Sequence, residues 1–190
     1  MKVMHIAASP RVESTSTKIA KRFCVRAQKN GADITFYPLE KMNYKGCQGC
    51  NACKSGKDRC VIKDDLTPVL DALYDIDVLV VSTPVYFWDI PGQLKCFIDR
   101  LYSVAKDDWQ SNPAPIRLPK DKKFVFVQSQ AALEDKHLDV YEKYAILFKM
   151  AFWETHLLRA CNNIAPNDLD NHADILKQTD ALAEHIVGVS

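Results

Sequence analysis

Glycine is scarce in this sequence, with six residues in 190, and none lies between Ser9 and Thr17. That scarcity excludes two glycine-rich phosphate cradles after the first apolar run: the G-x-G-x-x-G dinucleotide turn and the Walker loop. No apolar run approaches the roughly 18 residues that a membrane span needs. An excess of charge of one sign is also missing: 25 Lys and Arg against 24 Asp and Glu leave +1. Nothing in that balance argues for nucleic acid or an anionic membrane surface as a partner. The opening MKVMHIAASP is too short and too quickly polar for a signal peptide and reads as a strand, so the expected location is the cytoplasm. No Ser-His-Asp or Cys-His nucleophile arrangement stands out by spacing. His5 sits in the first apolar run and reads as structural, while His137, His156, His172 and His185 show no ligand spacing to one another.

What is present in excess is cysteine. Seven residues, an odd number, argue against a disulfide framework. Four of them, Cys47, Cys50, Cys53 and Cys60, fall in CQGCNACKSGKDRC. Three thiolates at three-residue spacing with a fourth soon after can hold a [4Fe–4S] cubane. Tetrahedral zinc is a second reading, although zinc more often takes two separated pairs. A third is a metal-free loop of packed or redox-active thiols. Lys45, Lys54, Lys57 and Arg59 favour thiolates by charge under any of the three. Cys24, Cys96 and Cys161 lie in apolar-periodic segments and are expected to be buried small hydrophobes.

The length suits one domain with a sizeable core. Apolar runs at 2–7, 33–37, 77–83, 122–129 and 157–164 read as strands. Helical periods occupy 16–31, 65–75, 91–105, 135–154 and 173–187. Ile19, Phe23 and Ala27 form a stripe at four-residue spacing, and Gly31 stands where a helix C-cap belongs. Strict alternation predicts an α/β fold: a five-stranded parallel sheet with helices on both faces, in the flavodoxin-like order 2-1-3-4-5. A single domain over 1–190 is expected, with a Cys-rich insertion at about 38–64 that lacks periodicity and is therefore a candidate functional loop. Within it, Asp64 or Asp65 reads as the cap of the helix that Leu66 begins.

In an open parallel sheet, ligands bind beyond the carboxyl ends of the strands. The loop SPRVESTST, residues 9–17, leaves the first strand and enters a helix. A helix N-terminus offers unpaired N–H groups and a positive dipole end. Ser9, Ser14, Thr15, Ser16 and Thr17 add hydroxyls, and Arg11 adds a forked cation. Hydroxyls in place of glycines fit a terminal monophosphate. The plainer alternative is an N-cap with polar neighbours. The third strand runs into Pro84, Val85, Tyr86, Phe87 and Trp88 before Pro91 and Gly92 open a helix. Three consecutive aromatics at a sheet rim do not follow core periodicity. They suit a planar ring ligand or an oligomer interface.

Taken together, SPRVESTST, CQGCNACKSGKDRCVIKDDL and STPVYFWDIPGQLKCFIDR resemble the NAD(P)H-dependent FMN reductase family of flavodoxin-like proteins, near its iron–sulfur flavoprotein branch. The resemblance implies bound FMN, with its phosphate on Ser9, Arg11, Ser14, Thr15 and Ser16. Its ring would lie along Pro84, Val85, Tyr86, Phe87 and Trp88, and a third loop including Ser129 would approach the pyrimidine side. The family's glycine is absent from that third loop, QSQAALED, and Ala8 replaces another ahead of the first loop. NAD(P)H is implied as cosubstrate, with flavin-based chemistry that needs no protein acid or base. The electron acceptor would be a small molecule such as a flavin or quinone. The iron–sulfur branch implies a [4Fe–4S] cluster on the four cysteines and electron carriage through it. A homodimer or homotetramer is also implied.

Overall fold

A computed structural model describes residues 1–133 and 140–188. Five parallel strands form one sheet: β1 (Lys2–Ala7), β2 (Asp33–Pro38), β3 (Val78–Pro84), β4 (Lys123–Ser129) and β5 (Glu154–Ala160), in the order β2-β1-β3-β4-β5. The helices are α1 (Thr15–Lys29), α2 (Leu66–Ala72), α3 (Gly92–Arg100), α4 (Val140–Ala151) and α5 (Ala173–Val187). The expected topology is therefore observed. β3 is buried at every position, as its continuous apolar run requires of a strand covered on both faces. Alternate residues feed two cores. Met4, Ile6, Leu79, Val81, Phe124 and Phe126 pack with α2, α3 and α4, where Phe124 stacks on Phe148 at 4.1 Å. Val3, Val78, Val80, Val125 and Val127 pack on the other face with α1 and α5.

Ile19, Phe23 and Ala27 of α1 are fully buried, as the stripe predicts. The helix ends in a Schellman motif: Ala32 N–H reaches Ala27 O and Gly31 N–H reaches Gln28 O, with Gly31 at φ +86°. The clearest boundary differences lie at β5, which ends at Ala160 rather than 164, and at α4. β5 starts at Glu154, three residues before the expected 157, because Glu154 pairs in register with Lys123 and Trp153 N–H bonds Lys122 O. α4 correspondingly stops at Ala151, and the expected helix start at 135–139 falls outside the described residues. After Arg100, α3 tightens into a 3-10 turn, Leu101–Val104.

Parallel pairing sends every strand–helix loop to one edge of the sheet. Ala7 lies beside Ser82, Ser82 beside Val127, and Pro84 beside Ser129. Ala8 N–H bonds Ser82 O at 2.8 Å, and Val85 N–H bonds Ser129 O at 2.8 Å. The loops after β1, β3 and β4 thus leave adjacent strands side by side.

Candidate functional site

Ser14 caps α1. Its backbone is extended, and its Oγ accepts the Thr17 N–H at 3.2 Å while its hydroxyl donates to Thr17 Oγ1 at 2.8 Å. Ser16 Oγ lies 3.4 Å from Ser14 Oγ, and Arg11 N–H bonds Ser9 Oγ at 3.1 Å. Ser9, Ser14, Thr15 and Ser16 are all buried, whereas Arg11 reaches into solvent. With Thr17 also buried, five hydroxyls out of water around one helix start exceed what a single N-cap uses. Thr15 differs from its neighbours, because its hydroxyl donates to Ile164 O at 2.6 Å and ties the loop after β5 to α1. Among the described residues the Thr15 and Ser16 N–H groups bond no protein acceptor. The first turn holds no acidic side chain to quench the helix dipole. The arrangement fits a phosphate-sized anion.

The aromatic loop is a tight hairpin. Tyr86 and Asp89 exchange backbone hydrogen bonds of 2.8 and 3.0 Å, with Phe87 at φ +46° and Trp88 at φ +63° between them. Positive φ at both central residues is the type I′ pattern, which favours Asn-Gly. Bulky side chains pay a backbone penalty there, and such strain gathers at binding sites. Phe87 is 91% exposed and Trp88 64%, their rings edge-to-face at 5.0 Å. Asp89 fixes the hairpin to α4: its carboxylate pairs with Lys143 and accepts the Tyr144 hydroxyl at 3.0 Å. Burial would raise the Asp89 carboxyl. Hydrogen bonds from Lys143, the Ile90 N–H and Tyr144 outweigh burial and hold it below the usual carboxylate range. On the β4 loop, Ser129 is half-buried at the strand end. The buried Gln128 Nε2 donates to Gln130 Oε1 at 2.5 Å, which leaves Gln128 Oε1 with no protein donor among the described residues.

Cys47, Cys50, Cys53 and Cys60 line one small cleft together with Arg100. Cys47 and Cys50 are exposed, Cys60 half-buried and Cys53 buried. Arg100 is 1% exposed and holds both ends of the loop. Its Nη1 donates to Lys45 O at 2.9 Å and to Asp64 Oδ2 at 2.7 Å, and its Nη2 to Ile62 O at 3.3 Å. Its Nε is buried without a partner among the described residues. Asp64 also caps α2 through the Leu66 N–H at 3.1 Å, whereas Asp65 turns to the Asn43 N–H at 2.6 Å. Tetrahedral zinc, with bonds of about 2.3 Å, would need sulfurs about 3.8 Å apart. No three of these thiols come within 4.8 Å of one another among the described residues.

The expected help from basic neighbours fails at Cys53. Burial pushes that thiol up despite Lys54, and the Lys54 ammonium is turned to Tyr102 O, at 2.6 Å, and to Ala105 O. Arg59 stacks on Tyr74. Of the three other cysteines only Cys24 is buried, and burial lifts its thiol to about 12. Cys96 and Cys161 are half-buried, and a Cβ added at Gly46 would meet Cys96 Sγ at 3.3 Å. Sequence reasoning missed Arg100 and the Asp89–Lys143–Tyr144 tie, while the loop from Gln128 to Ala131 was already expected to approach the ring. It also kept His156 and His185 apart, which the fold brings together.

The profile described as NADPH-dependent FMN reductase matches residues 1–129. The chain belongs to that family. That family is described by its use of NADPH and FMN. An iron–sulfur flavoprotein of Methanocaldococcus jannaschii is 33% identical over 100 residues, covering 53% of this chain and 51% of the relative. The chain matches about half the length of the curated iron–sulfur flavoproteins it resembles. Among solved structures, an FMN-dependent NADH-azoreductase from Bacillus anthracis in complex with FMN superposes with a TM-score of 0.76 at 17% identity, covering 99% of this chain and all of that one. An NAD(P)H:quinone oxidoreductase from Methanothermobacter marburgensis gives 0.73 at 17%, covering 98% and 96%. These likenesses establish the flavodoxin-like fold. No helix among the described residues is long and apolar enough to cross a membrane.

Proposed function

We propose that this FMN reductase family member takes hydride from NAD(P)H onto FMN and passes the electrons to a small acceptor, a flavin, quinone or similar compound. The observation that carries the reading is the buried hydroxyl cluster at the start of α1, beside the aromatic hairpin and the end of β4. Ser9, Ser14, Thr15 and Ser16 and the free N–H groups of the first turn hold the phosphate, with Arg11 closing from solvent. Pro84, Val85 and the rings of Tyr86, Phe87 and Trp88 position the isoalloxazine, with Ser129 at its far side. When bound, FMN supplies the hydride and electron chemistry. The chain's residues bind, orient and shield it, so no protein acid or base is assigned. Structural relatives that are an NADH-azoreductase and an NAD(P)H:quinone oxidoreductase support the acceptor class. The chain is proposed to assemble as a homodimer or homotetramer. Support comes from an apolar cleft of about 340 Å³ lined by Leu101, Val104, Leu147 and Phe148. The whole is proposed to act as a single domain in the cytoplasm.

The test is FMN titration of the Arg11→Ala/Ser14→Ala double variant. Hydrogen bonds to charged groups contribute roughly 1.5–3 kcal/mol each, so affinity should fall by a few kcal/mol at most. Unchanged affinity would remove both residues from the site.

A second reading is favoured by the cysteine cleft: an iron–sulfur flavoprotein that carries electrons through a [4Fe–4S] cluster on Cys47, Cys50, Cys53 and Cys60. A buried guanidinium with an unpartnered Nε suits an anionic, sulfur-rich group. Anaerobically purified protein should then hold about four irons and four sulfides per chain beside FMN. Flavin absorption with no iron rejects this reading and leaves the simple reductase.

A further inference from the structure

At the opposite edge of the sheet from the proposed flavin loops, β5 begins at Glu154. Residues two apart on a strand share a face, and Glu154, His156 and Leu158 face α5, since Leu158 belongs to the α1/α5 core. His185 lies in the last turn of α5. The fold therefore converges two imidazoles and a carboxylate from sequence positions that show no motif. His156 Nε2 lies 2.5 Å and His185 Nε2 3.1 Å from the same oxygen, Glu154 Oε1. All three ligand atoms fall within 4.8 Å of one another. The rings stand edge-to-face at 5.9 Å, so neither blocks the other's nitrogen.

Lys123 occupies the other carboxylate oxygen, Oε2, at 3.3 Å, and also reaches Ile186 O at 3.4 Å. It fixes the carboxylate so that Oε1 alone faces the imidazoles. The carbonyl end of α5 adds partial negative charge, which favours a cation.

We propose that Glu154, His156 and His185 form a site for a divalent first-row transition cation, with solvent in the remaining coordination position. Two imidazoles and one carboxylate suit zinc, nickel or copper(II). They supply too few oxygens for calcium, which takes six to eight. Metal–ligand bonds of about 2.0–2.2 Å put tetrahedral donors about 3.4 Å apart, so entry of the ion opens the present contacts by under about 1 Å. The ion would clip the last turn of α5 to β5, and binding only the folded chain would raise its melting temperature. Exposed His185 gives the ion a path from solvent.

The test is a Ni²⁺ titration of the full chain by calorimetry, with melting temperature as a second readout. Wild type, His156→Ala, His185→Ala and a Cys47→Ser/Cys50→Ser variant are compared. The cysteine variant controls for metal taken by the thiol cleft, so this result stands or falls apart from the flavin and cluster readings. Each histidine variant should weaken the N/O site at least as much as the about 10–100-fold that outer-shell changes cost, and should abolish the rise in melting temperature. The cysteine variant should keep both. Ni²⁺ binding unchanged in both histidine variants, binding lost only with the cysteines, or no binding to wild type would each overturn the proposal.

Discussion

Replacing Arg100 with methionine is expected to lower the unfolding free energy by about 3–5 kcal/mol, the cost of removing one partner from a buried ion pair. The Arg100 side chain is fully buried and Asp64 nearly so. Without the guanidinium, the Asp64 carboxylate loses its strongest partner, and the carbonyls of Lys45 and Ile62 lose their donors. Burial works against the charge on Arg100, and Asp64 and the Cys60 sulfur outweigh it. The damage should be local. Lys45 precedes the first clustered cysteine and Ile62 follows the last, so the variant frees both ends of the loop at once. Urea unfolding should show the lowered midpoint. Amide exchange should rise over 45–64 while β3 and β4 stay protected. The companion Arg100→Met/Asp64→Leu variant should recover much of the loss, because it removes the stranded carboxylate. A single variant within about 1 kcal/mol of wild type would show that the loop does not depend on this pair.

The second large effect concerns pH. His5 is buried in β1 against Phe36, with its Nε2 2.8 Å from Ser82 Oγ. Burial first, and Lys21 second, push its pKa from 6.5 down to about 3. In the unfolded chain the ring takes up a proton below pH 6.5, whereas in the folded chain it stays neutral. Unfolding therefore binds a proton across that interval. The His5 contribution is fully present above pH 6.5 and is lost as pH falls toward 3, by about 1.36 kcal/mol per pH unit. At pH 4.5 the deficit should be about 2.7 kcal/mol. Chemical denaturation of wild type and His5→Leu at pH 7, 6, 5 and 4.5 isolates it. The leucine variant carries a pH-independent offset from Ser82's lost partner, about 1 kcal/mol, and a flatter pH slope. Parallel slopes for the two proteins would rule His5 out as a source of acid lability.

The sheet order was legible because continuous apolar runs and helical periods alternate without interruption. The sequence places the helix–strand boundary near Ala151 poorly, because LLRACNNI is more apolar than ETHLLRA and only pairing with Lys123 marks the true start. The hydroxyl cap and the aromatic rim follow local chemistry and could be read directly. Arg100 left a readable trace, a charge among Leu94, Phe97, Ile98 and Leu101 in an otherwise apolar stripe. Its partner did not, since Asp64 lies 36 positions away. Separation in sequence likewise hid His156 and His185 from each other, and it hid the bond from Thr15 to Ile164, 149 positions apart. Half-exposure of Cys96 and Cys161 was likewise set by tertiary neighbours that periodicity does not report.

The tie between Asp89 and α4 has a mechanical consequence. A two-residue turn closed by two backbone bonds has little internal play, and Lys143 and Tyr144 anchor it to a helix whose inner side rests on Phe124 and Phe126. Hairpin and helix are thereby joined by an ion pair and a hydrogen bond. A load placed on the rings of Phe87 and Trp88 is carried through Asp89 to the flank of the apolar cleft that Tyr144 and Leu147 border.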